Sequence, residues 1–259
     1  MHLELSGQVA VVTGANRGIG LAVTEALVAE GAHVVAGARR SSTELDILRR
    51  SGSVELVDVD LSQPGESSKL VDAAGGQVDV LVNNVGGAPT RPGGFLSITD
   101  EDWLSTFTLN LLAAVRTTRS VLPSMLEAGR GSIVNICSVN ALLPDPLVMD
   151  YSAAKAALAN WSKALSKEVG PRGVRINAIS PGPVATDLWL ARDGVAASVA
   201  AMTGTTPEEV AAGAAKQSVT GRFSRPAEVA TLVALLASPV TSNVTGADFR
   251  IDGGLITTL

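Results

Sequence analysis

Seven short apolar stretches alternate with longer stretches of helix-forming residues, and this alternation limits the folds that the chain can adopt. The apolar stretches are Val9–Thr13, His33–Gly37, Val54–Val59, Val78–Val82, Ser132–Cys137, Val174–Ile179 and Ala247–Ile251. Most of them are continuously apolar, which is typical of parallel strands buried on both faces. Helices are predicted near Ile19–Glu30, Thr43–Arg50, Glu66–Ala74, Asp100–Ala128, Tyr151–Val169 and Ala227–Leu236. The pattern therefore predicts an α/β fold, a doubly wound parallel sheet of seven strands with helices on both faces.

The whole chain, residues 1–259, is expected to form a single domain. Apolar residues make up 46% of it, enough for one large core, and no linker or internal repeat interrupts it. The one irregular stretch is Asp187–Gly221. Because irregular connections of this length are uncommon in compact domains, residues 187–221 are a candidate functional loop.

Charge and composition exclude several kinds of protein. A net charge of −5, with no basic stripe, argues against nucleic acid as a partner. The only cysteine, Cys137, lies at a predicted strand end and is expected to pack there. His2 and His33 have no second ligand at metal-binding spacing, so no metal site is expected.

The chain shows no targeting or membrane signal. Its first residues lack the basic and apolar regions of a signal peptide, and no apolar run approaches ~18 residues. We therefore expect a soluble cytoplasmic protein without a membrane partner.

A glycine-rich turn follows the first predicted strand. It reads Thr13-Gly14-Ala15-Asn16-Arg17-Gly18-Ile19-Gly20 and leads into a helix. Glycines permit a tight turn and a close approach to a ligand, and the amides at a helix start suit a pyrophosphate. Since the spacing differs from the generic dinucleotide fingerprint, a dinucleotide site and a purely structural turn both remain open.

The end of the second predicted strand indicates which dinucleotide would bind. NAD sites place an acid about 20 residues beyond the glycines, on the ribose 2′-hydroxyl. Here no acid lies between Gly31 and Thr43, whereas Arg39 and Arg40, with Arg17, could clamp a 2′-phosphate. Alternatively, Arg39 and Arg40 are solvated residues that open the next helix. The sequence favours NADP over NAD.

Tyr151, the only tyrosine, is followed four places later by Lys155, so the two share a face of the predicted helix. A phenol titrates near pH ~10. A cation about 4 Å away, at an effective dielectric constant of roughly 20, favours the phenolate by about 4 kcal/mol before desolvation. That could lower the tyrosine pKa by up to ~3 units, into the range of a general acid/base. Two ordinary neighbours on a helix are the alternative.

Taken in order, these motifs resemble those of the classical short-chain dehydrogenases/reductases over essentially the whole chain. The remaining segments that carry the resemblance are Asp60-Leu61, Asn83-Asn84-Val85-Gly86, Asn110, Ser138, Pro181-Gly182-Pro183-Val184-Ala185-Thr186 and Asp252-Gly253-Gly254. Val85 stands where the family usually has alanine, and Ser224 where it commonly has glycine. The resemblance implies a Rossmann-like fold and an oxidoreductase that interconverts a carbonyl and an alcohol with a nicotinamide dinucleotide.

The resemblance also implies roles for four residues. Tyr151 exchanges a proton with the substrate oxygen, and Ser138 hydrogen-bonds that oxygen. Lys155 lowers the tyrosine pKa and binds the nicotinamide ribose, and Asn110 holds a water in a proton relay behind Lys155. Alternatively, Ser138 caps a helix and Asn110 satisfies backbone groups.

The expected cofactor-binding residues come from the glycine turn and from the ends of the later strands. They are Gly14, Asn16, Arg17, Gly18, Ile19, Gly20, Arg39, Arg40, Asp60, Leu61, Asn84, Val85, Gly86, Tyr151, Lys155, Pro181, Gly182, Val184 and Thr186.

Residues 187–221 resemble the family's substrate lid, and an apolar small-molecule substrate is predicted. The apolar residues expected around it are Leu142, Leu147, Val148, Leu188, Trp189, Leu190, Val195, Val199 and Met202, with Asn140 beside them. Alternatively, the lid residues are buried against the body or another subunit.

Three functions remain open. A free ketone/alcohol pair is the preferred substrate, and a 3-oxoacyl thioester of acyl carrier protein or CoA is the alternative. Arg130 and Arg172 would support the thioester if they lie near the entrance, as expected. A dinucleotide-binding sensor or scaffold without turnover is the third.

By family analogy we expect a homotetramer, with a dimer as the alternative. The apolar runs Val229–Leu236 and 255–259 fit a buried end of the subunit.

Overall fold

The computed structural model describes residues 2–258, so Met1 and Leu259 of the predicted domain lie outside the described residues. Its strands are β1 Val9–Thr13, β2 His33–Ala38, β3 Val54–Asp58, β4 Val80–Asn83, β5 Gly131–Ile136, β6 Val174–Pro181 and β7 Asp248–Ile251. Over the described residues they form one parallel sheet of seven strands in the order β3-β2-β1-β4-β5-β6-β7. The predicted doubly wound sheet is confirmed.

Helices connect the strands and cover both faces of the sheet. They are α1 Gly18–Ala29, α2 Thr43–Arg49, α3 Ser68–Ala73, α4 Asp100–Phe107, α5 Ala113–Ala128, α6 Met149–Val169, α7 Asp187–Leu190, α8 Val195–Thr203, α9 Pro207–Gln217 and α10 Pro226–Ala237. A π-helical turn, Thr108–Leu112, joins α4 to α5, so the long helix predicted over 100–128 is continuous but locally widened. Among residues 2–258, no helix combines the length and apolarity needed to cross a bilayer.

The strands are continuously apolar because each one is buried on both sides. Ala10 and Val12 of β1 point into a cluster shared with α1 and α10, which contains Val233. Val11, between them, points into the opposite cluster with Met125 of α5. Adjacent residues on a strand face opposite sides, so both parities must be apolar here. The two clusters hold the helices on the sheet.

Strand order reverses between β1 and β4, which places a crevice at the carboxyl ends of the central strands. β1 pairs with β2 on one side and β4 on the other, with Val12 opposite Val82. Open α/β sheets bind ligands at such a reversal. The topology therefore brings the turn after β1 and the segments after β4 and β5 to one edge.

The prediction that residues 187–221 are irregular is wrong, because α7, α8 and α9 occupy most of the stretch. Thr206 and Glu209 cap α9 reciprocally: the Thr206 hydroxyl accepts from the Glu209 amide at 3.2 Å, and the Glu209 carboxylate from the Thr206 amide at 3.0 Å. Gly204, at φ +68°, ends α8. Alanine and glycine conceal the helical period here, but the capping pair with Pro207 was a readable signal.

Candidate active site

A cavity of about 940 Å³ opens at the carboxyl ends of β1, β4, β5 and β6. The predicted site residues that line it are Gly14, Asn16, Arg17, Gly18, Ile19, Arg39, Asp60, Leu61, Asn84, Val85, Gly86, Ser138, Tyr151, Lys155, Pro181, Gly182, Val184 and Thr186. Three predicted site residues, Gly20, Arg40 and Asn110, lie outside its wall. The structure thus brings most of the predicted site to one place.

The glycine turn after β1 is shaped for close approach of a ligand. Gly14 and Gly18 adopt φ of +67° and +55°, the left-handed region that favours glycine. A Cβ at Gly20 would collide with the Gly14 carbonyl oxygen, so only glycine allows this close contact between the start of α1 and the turn. Arg17, before the first turn of α1, makes no side-chain capping hydrogen bond to the helix amides. Such a cradle fits the pyrophosphate of a dinucleotide.

Asn84 fixes the glycine turn to the end of β4. Its side-chain amide donates to the carbonyl oxygens of Thr13 and Gly14 at 2.9 and 3.2 Å. The Thr13 hydroxyl in turn accepts from the backbone amides of Asn84 and Val85 at 2.9 and 3.1 Å. Asn84 therefore shapes the cavity as well as lining it.

The predicted phosphate clamp loses one of its three arginines. Arg39 lines the cavity, whereas Arg40, the next residue of the bend that follows β2, is exposed outside it. The Asp60 carboxylate accepts from the hydroxyl and the amide of Ser62 at 2.7 and 3.0 Å. These hydrogen bonds, with a smaller effect of the Arg39 charge, hold the pKa of Asp60 below its usual value.

Tyr151 and Lys155 lie one turn apart on α6 and face the cavity together. The Lys155 side chain is only 3% exposed, and its ammonium donates to the Ile136 carbonyl oxygen at the end of β5, at 2.8 Å. The ammonium nitrogen lies 5.8 Å from the centre of the Tyr151 ring. Helix spacing pairs the two residues, and a backbone carbonyl fixes the position of the cation.

The prediction that Lys155 lowers the pKa of Tyr151 is wrong for the protein alone. Burial raises the pKa of Tyr151 to about 12, and a hydrogen bond with Ser138 opposes this only in part. Burial also lowers the pKa of Lys155 to about 8. Desolvation penalises each charged form, and the Lys155 ammonium is held on a carbonyl rather than on the phenol.

Ser138 combines the predicted site position with its alternative role as a cap. It directly follows Cys137 at the end of β5 and lines the cavity. Its hydroxyl accepts from the Asn140 amide at 3.1 Å and lies 3.2 Å from the Asn140 side-chain oxygen. It therefore caps the short turn after β5, and it also acts on Tyr151, whose pKa it lowers against the effect of burial.

Asn110 is a buried amide that satisfies backbone groups, the alternative raised from the sequence. Its side-chain nitrogen donates to the carbonyl oxygens of Gly87 and Thr106, both at 3.0 Å, and its oxygen accepts from the Gly87 amide at 3.1 Å. It lies in the π-helical turn and is 1% exposed. A Cβ at Gly86 would lie 2.7 Å from the Asn110 side-chain oxygen and 3.3 Å from the Lys155 ammonium, so both atoms border one small space.

The lid side of the cavity is mainly apolar. Predicted residues that line it are Asn140, Leu147, Val148, Leu188, Trp189, Val195 and Val199, whereas Leu142, Leu190 and Met202 do not. Sequence reasoning missed a further group, Leu143, Pro144, Asp145, Glu209, Val210, Gly213, Ala214, Gln217 and Leu255. Those from α9 repeat at helical spacing, a signal that the capping pair before them would have supported.

Arg130 and Arg172 do not lie at the cavity mouth of their own chain, so the expectation that they lie near the entrance is wrong within one chain. Arg130 precedes β5 and Arg172 precedes β6, whereas the cavity is at the other ends of these strands. Arg130 pairs with Asp79, before β4, at 3.4 Å.

Comparisons with known proteins agree with this geometry. The family model for short chain dehydrogenases matches residues 8–194. A 3-oxoacyl-(acyl-carrier-protein) reductase of Thermotoga maritima is 34% identical over 262 residues, covering 98% of this chain and 100% of the relative. A 3-alpha-(or 20-beta)-hydroxysteroid dehydrogenase of Mycobacterium tuberculosis is 36% identical over 268 residues, covering 99% and 92%.

A solved structure extends the likeness to the whole fold. L-sorbose reductase from Gluconobacter frateurii, in complex with NADPH and L-sorbose, matches with a TM-score of 0.90 at 32% identity and covers 100% of both chains. The chain therefore belongs to the short-chain dehydrogenase/reductase family of oxidoreductases.

Proposed function

We propose that the protein is an NADP(H)-dependent oxidoreductase that interconverts a carbonyl and a secondary alcohol on a largely apolar small molecule. One observation carries this proposal: Ser138, Tyr151 and Lys155 line the same cavity as the glycine cradle, so substrate and dinucleotide can meet there. When bound, the cofactor supplies or accepts a hydride at its nicotinamide. The protein supplies position, charge and the proton.

Tyr151 is the proposed proton donor to the carbonyl oxygen. With its pKa raised to about 12, the phenol is protonated at neutral pH, the form that a general acid needs. Ser138, which lines the cavity together with Tyr151, is proposed to bind the same oxygen. Lys155 is proposed to bind the nicotinamide ribose, and the space that it shares with Asn110 supports a proton relay behind it.

NADP is the proposed cofactor, and Arg17 and Arg39 are the proposed ligands of its 2′-phosphate. Both line the cavity, and Ala38, at the end of β2, offers no carboxylate for a ribose diol. The NADPH bound in the related L-sorbose reductase supports the same choice. Asp60, Leu61, Val85, Pro181 and Thr186 would complete the cleft.

The lid supports an apolar substrate. Leu188, Trp189, Val199 and Val210 face the cavity from α7, α8 and α9, opposite Leu147. A 3-oxoacyl thioester remains the second candidate because the Thermotoga maritima relative is named for that reaction. A dinucleotide sensor without turnover is the third candidate. The presence of Ser138, Tyr151 and Lys155 in one cavity argues against it.

A panel assay tests the function. Consumption of NADPH is followed with aliphatic, aromatic and cyclic ketones, a ketose such as L-sorbose, and an acetoacetyl thioester of a pantetheine. We expect wild type to reduce at least one free ketone. We expect Tyr151→Phe to reduce none of these ketones at a comparable rate. Preference for the thioester would select the second candidate. Tight NADPH binding without turnover of any carbonyl would favour the third candidate, a dinucleotide sensor.

We further propose a cytoplasmic homotetramer with a small-molecule substrate and no nucleic-acid or membrane partner. Leu104 and Leu112, 68% and 38% exposed on the long helix, support a contact between subunits, with a dimer as the alternative. The run Val229–Leu236 does not contribute, because α10 buries it against α1 in its own subunit. Light scattering would give the mass of the particle.

A further inference from the structure

A buried ion pair lies immediately beside Tyr151 and has no part in the proposed chemistry. Arg91, in the segment after β4, donates from Nε and Nη2 to one carboxylate oxygen of Asp150, at 3.1 and 2.6 Å. The Thr106 hydroxyl donates to the same oxygen at 2.7 Å. The Asp150 side chain is fully buried and that of Arg91 is 14% exposed. Three donors thus converge on one atom of the residue that precedes Tyr151.

Arg91 also ties its own segment to two helical elements beside the cavity. Its Nη1 donates to Asp102 of α4 at 2.8 Å, and its backbone amide donates to the Leu147 carbonyl oxygen, just before α6, at 2.7 Å. These contacts connect the segment after β4 to the long helix and to the start of the helix that carries Tyr151.

The same cluster reaches the other side of the cleft through Asn110. The Thr106 carbonyl accepts from the Asn110 amide, which also holds the backbone of Gly87. A hydrogen-bonded path therefore runs from Gly87 through Asn110 and Thr106 to Asp150. Gly87 and Tyr151 both line the cavity, so the path connects two parts of the cavity wall.

The buried ion pair of Arg91 and Asp150 is better explained by a role in positioning the site than by a contribution to the stability of the fold. Burial alone would raise the pKa of Asp150, but hydrogen bonds from Arg91 and Thr106 outweigh it and hold the pKa below its usual value. A buried ion pair is weak evidence for stability, because desolvation offsets the attraction. The directional fork of an arginine, however, fixes the position of its carboxylate.

We propose that Arg91 and Asp150 are positioning residues that hold the phenol of Tyr151 at a fixed position relative to Gly86 and Gly87, which line the same cavity. The proposal rests on the proposed role of Tyr151 as proton donor. Neither residue touches the reacting atoms. Loosening the pair lets the first turn of α6 shift, and a misplacement of about 1 Å can lower a rate about 10²-fold.

The test uses the only tyrosine as its own probe. Ionisation of Tyr151 is followed by tyrosinate absorbance in wild type, Asp150→Asn and Arg91→Lys. Asp150→Asn removes the charge, and Arg91→Lys keeps the charge but removes the fork. We expect the phenol to ionise about one pH unit lower in both variants, since a loosened helix start admits water. We also expect kcat to fall at least about tenfold, while the Kd for NADPH changes less than about twofold.

Asp79→Asn is the matched control. Asp79 also pairs with an arginine, Arg130, and accepts from a backbone amide, that of Val9 at 3.0 Å, but it lies at the opposite edge of the sheet. The Asp79→Asn variant should have a lower Tm, with the phenol titration and kcat unchanged.

Two results would overturn the positioning role. One is an unchanged phenol titration and kcat in both variants, with loss of Tm alone, as in the control. The other is a parallel loss of NADPH affinity, which would mean general disorder of the site. If Asp150→Asn does not fold, the phenol titration and kcat of Arg91→Lys decide whether the pair has a positioning role. If wild type reduces no carbonyl, the proposed function fails, while the phenol titration still judges the positioning.

Discussion

The ammonium nitrogen of Lys155 lies 5.8 Å from the centre of the Tyr151 ring and is anchored on the Ile136 carbonyl oxygen at 2.8 Å. Burial acts on both groups in the sense that favours the neutral form: it raises the pKa of Tyr151 to about 12 and lowers that of Lys155 to about 8. Near neutral pH the phenol is therefore protonated and the ammonium still charged. This combination suits donation of a proton to a carbonyl oxygen.

Tyr151→Phe should lower kcat by orders of magnitude while NADPH still binds, because a positioned general acid contributes about 10²–10⁴-fold. Because Tyr151 is the only tyrosine, nitration should also abolish turnover, and bound NADPH should protect. The measurement is single-turnover reduction of the best ketone from the panel. A variant that keeps more than about a tenth of wild-type kcat, under about 1.4 kcal/mol of barrier, would refute the role.

The pH dependence of stability should carry the signature of buried Lys155. The folded protein loses this proton near pH 8, whereas the unfolded chain keeps it up to its usual pKa of 10.5. Between these values the folded state binds fewer protons, so this group makes the protein more stable as pH rises. Lys155→Met removes the effect.

Thermal unfolding of wild type and Lys155→Met at several pH values between 7 and ~9.5 measures this contribution. The Tm of wild type relative to the variant should rise across that range. A constant difference would show that the pKa of Lys155 is not lowered. Reduction of the carbonyl should decline over the same range as the ammonium loses its charge.

The cofactor preference should depend on Ala38 and Arg39. Two charge-assisted contacts at about 1.5–3 kcal/mol each give roughly 10²–10⁴-fold preference for NADP if both arginines engage the phosphate. Replacing Ala38 by Asp and Arg39 by Ser should invert it. Added salt should weaken the wild-type preference, since Arg17 and Arg39 are exposed.

The comparison is kcat/KM for NADPH and NADH at one ionic strength, for wild type and the Ala38→Asp/Arg39→Ser variant. Arg40→Ser is the control, because Arg40 lies outside the cavity and its loss should leave the preference unchanged. Wild-type enzyme that favours NADH, or accepts both equally, would make Arg39 a surface residue.

The helical lid, residues 187–221, should become ordered over bound substrate. Trp189 packs edge-on against Phe223 with ring centroids 5.2 Å apart, and Arg17 lies 3.8 Å from Asp187 at the start of α7. Both contacts tie the start of the lid to residues outside it. Amide hydrogen exchange over α7, α8 and α9 should slow when NADPH and a substrate analogue are added together.

Equal protection in the free and ternary states would make the lid a packed structural insert. Phe223→Ala serves as a second arm of this test, because it removes a ring contact of about 0.5–1.5 kcal/mol. It should speed exchange of α7 and raise KM for the substrate, with the Kd for NADPH unchanged.

Local patterns determined much of this protein from the sequence alone. Seven strands were placed within about two residues of their observed bounds because burial on both faces demands uninterrupted apolar runs. Tyr151 and Lys155 were paired correctly because helix geometry relates residues four apart. Glycines 14, 18 and 20 are recognisable from the sequence because a tight turn needs backbone freedom at the first two and the absence of a Cβ at the third.

Only the tertiary structure decided the features that depend on distant groups. The partners Arg91 and Asp150 are 59 residues apart, and no local pattern joins them. Arg39 and Arg40 are adjacent in the chain, yet only Arg39 reaches the cavity. The sign of the Tyr151 pKa shift follows from burial by the surrounding elements, which outweighs the opposing effect of Ser138. Periodicity is a property of nearby residues, whereas solvation, side-chain direction and long-range pairing exist only once the chain has folded.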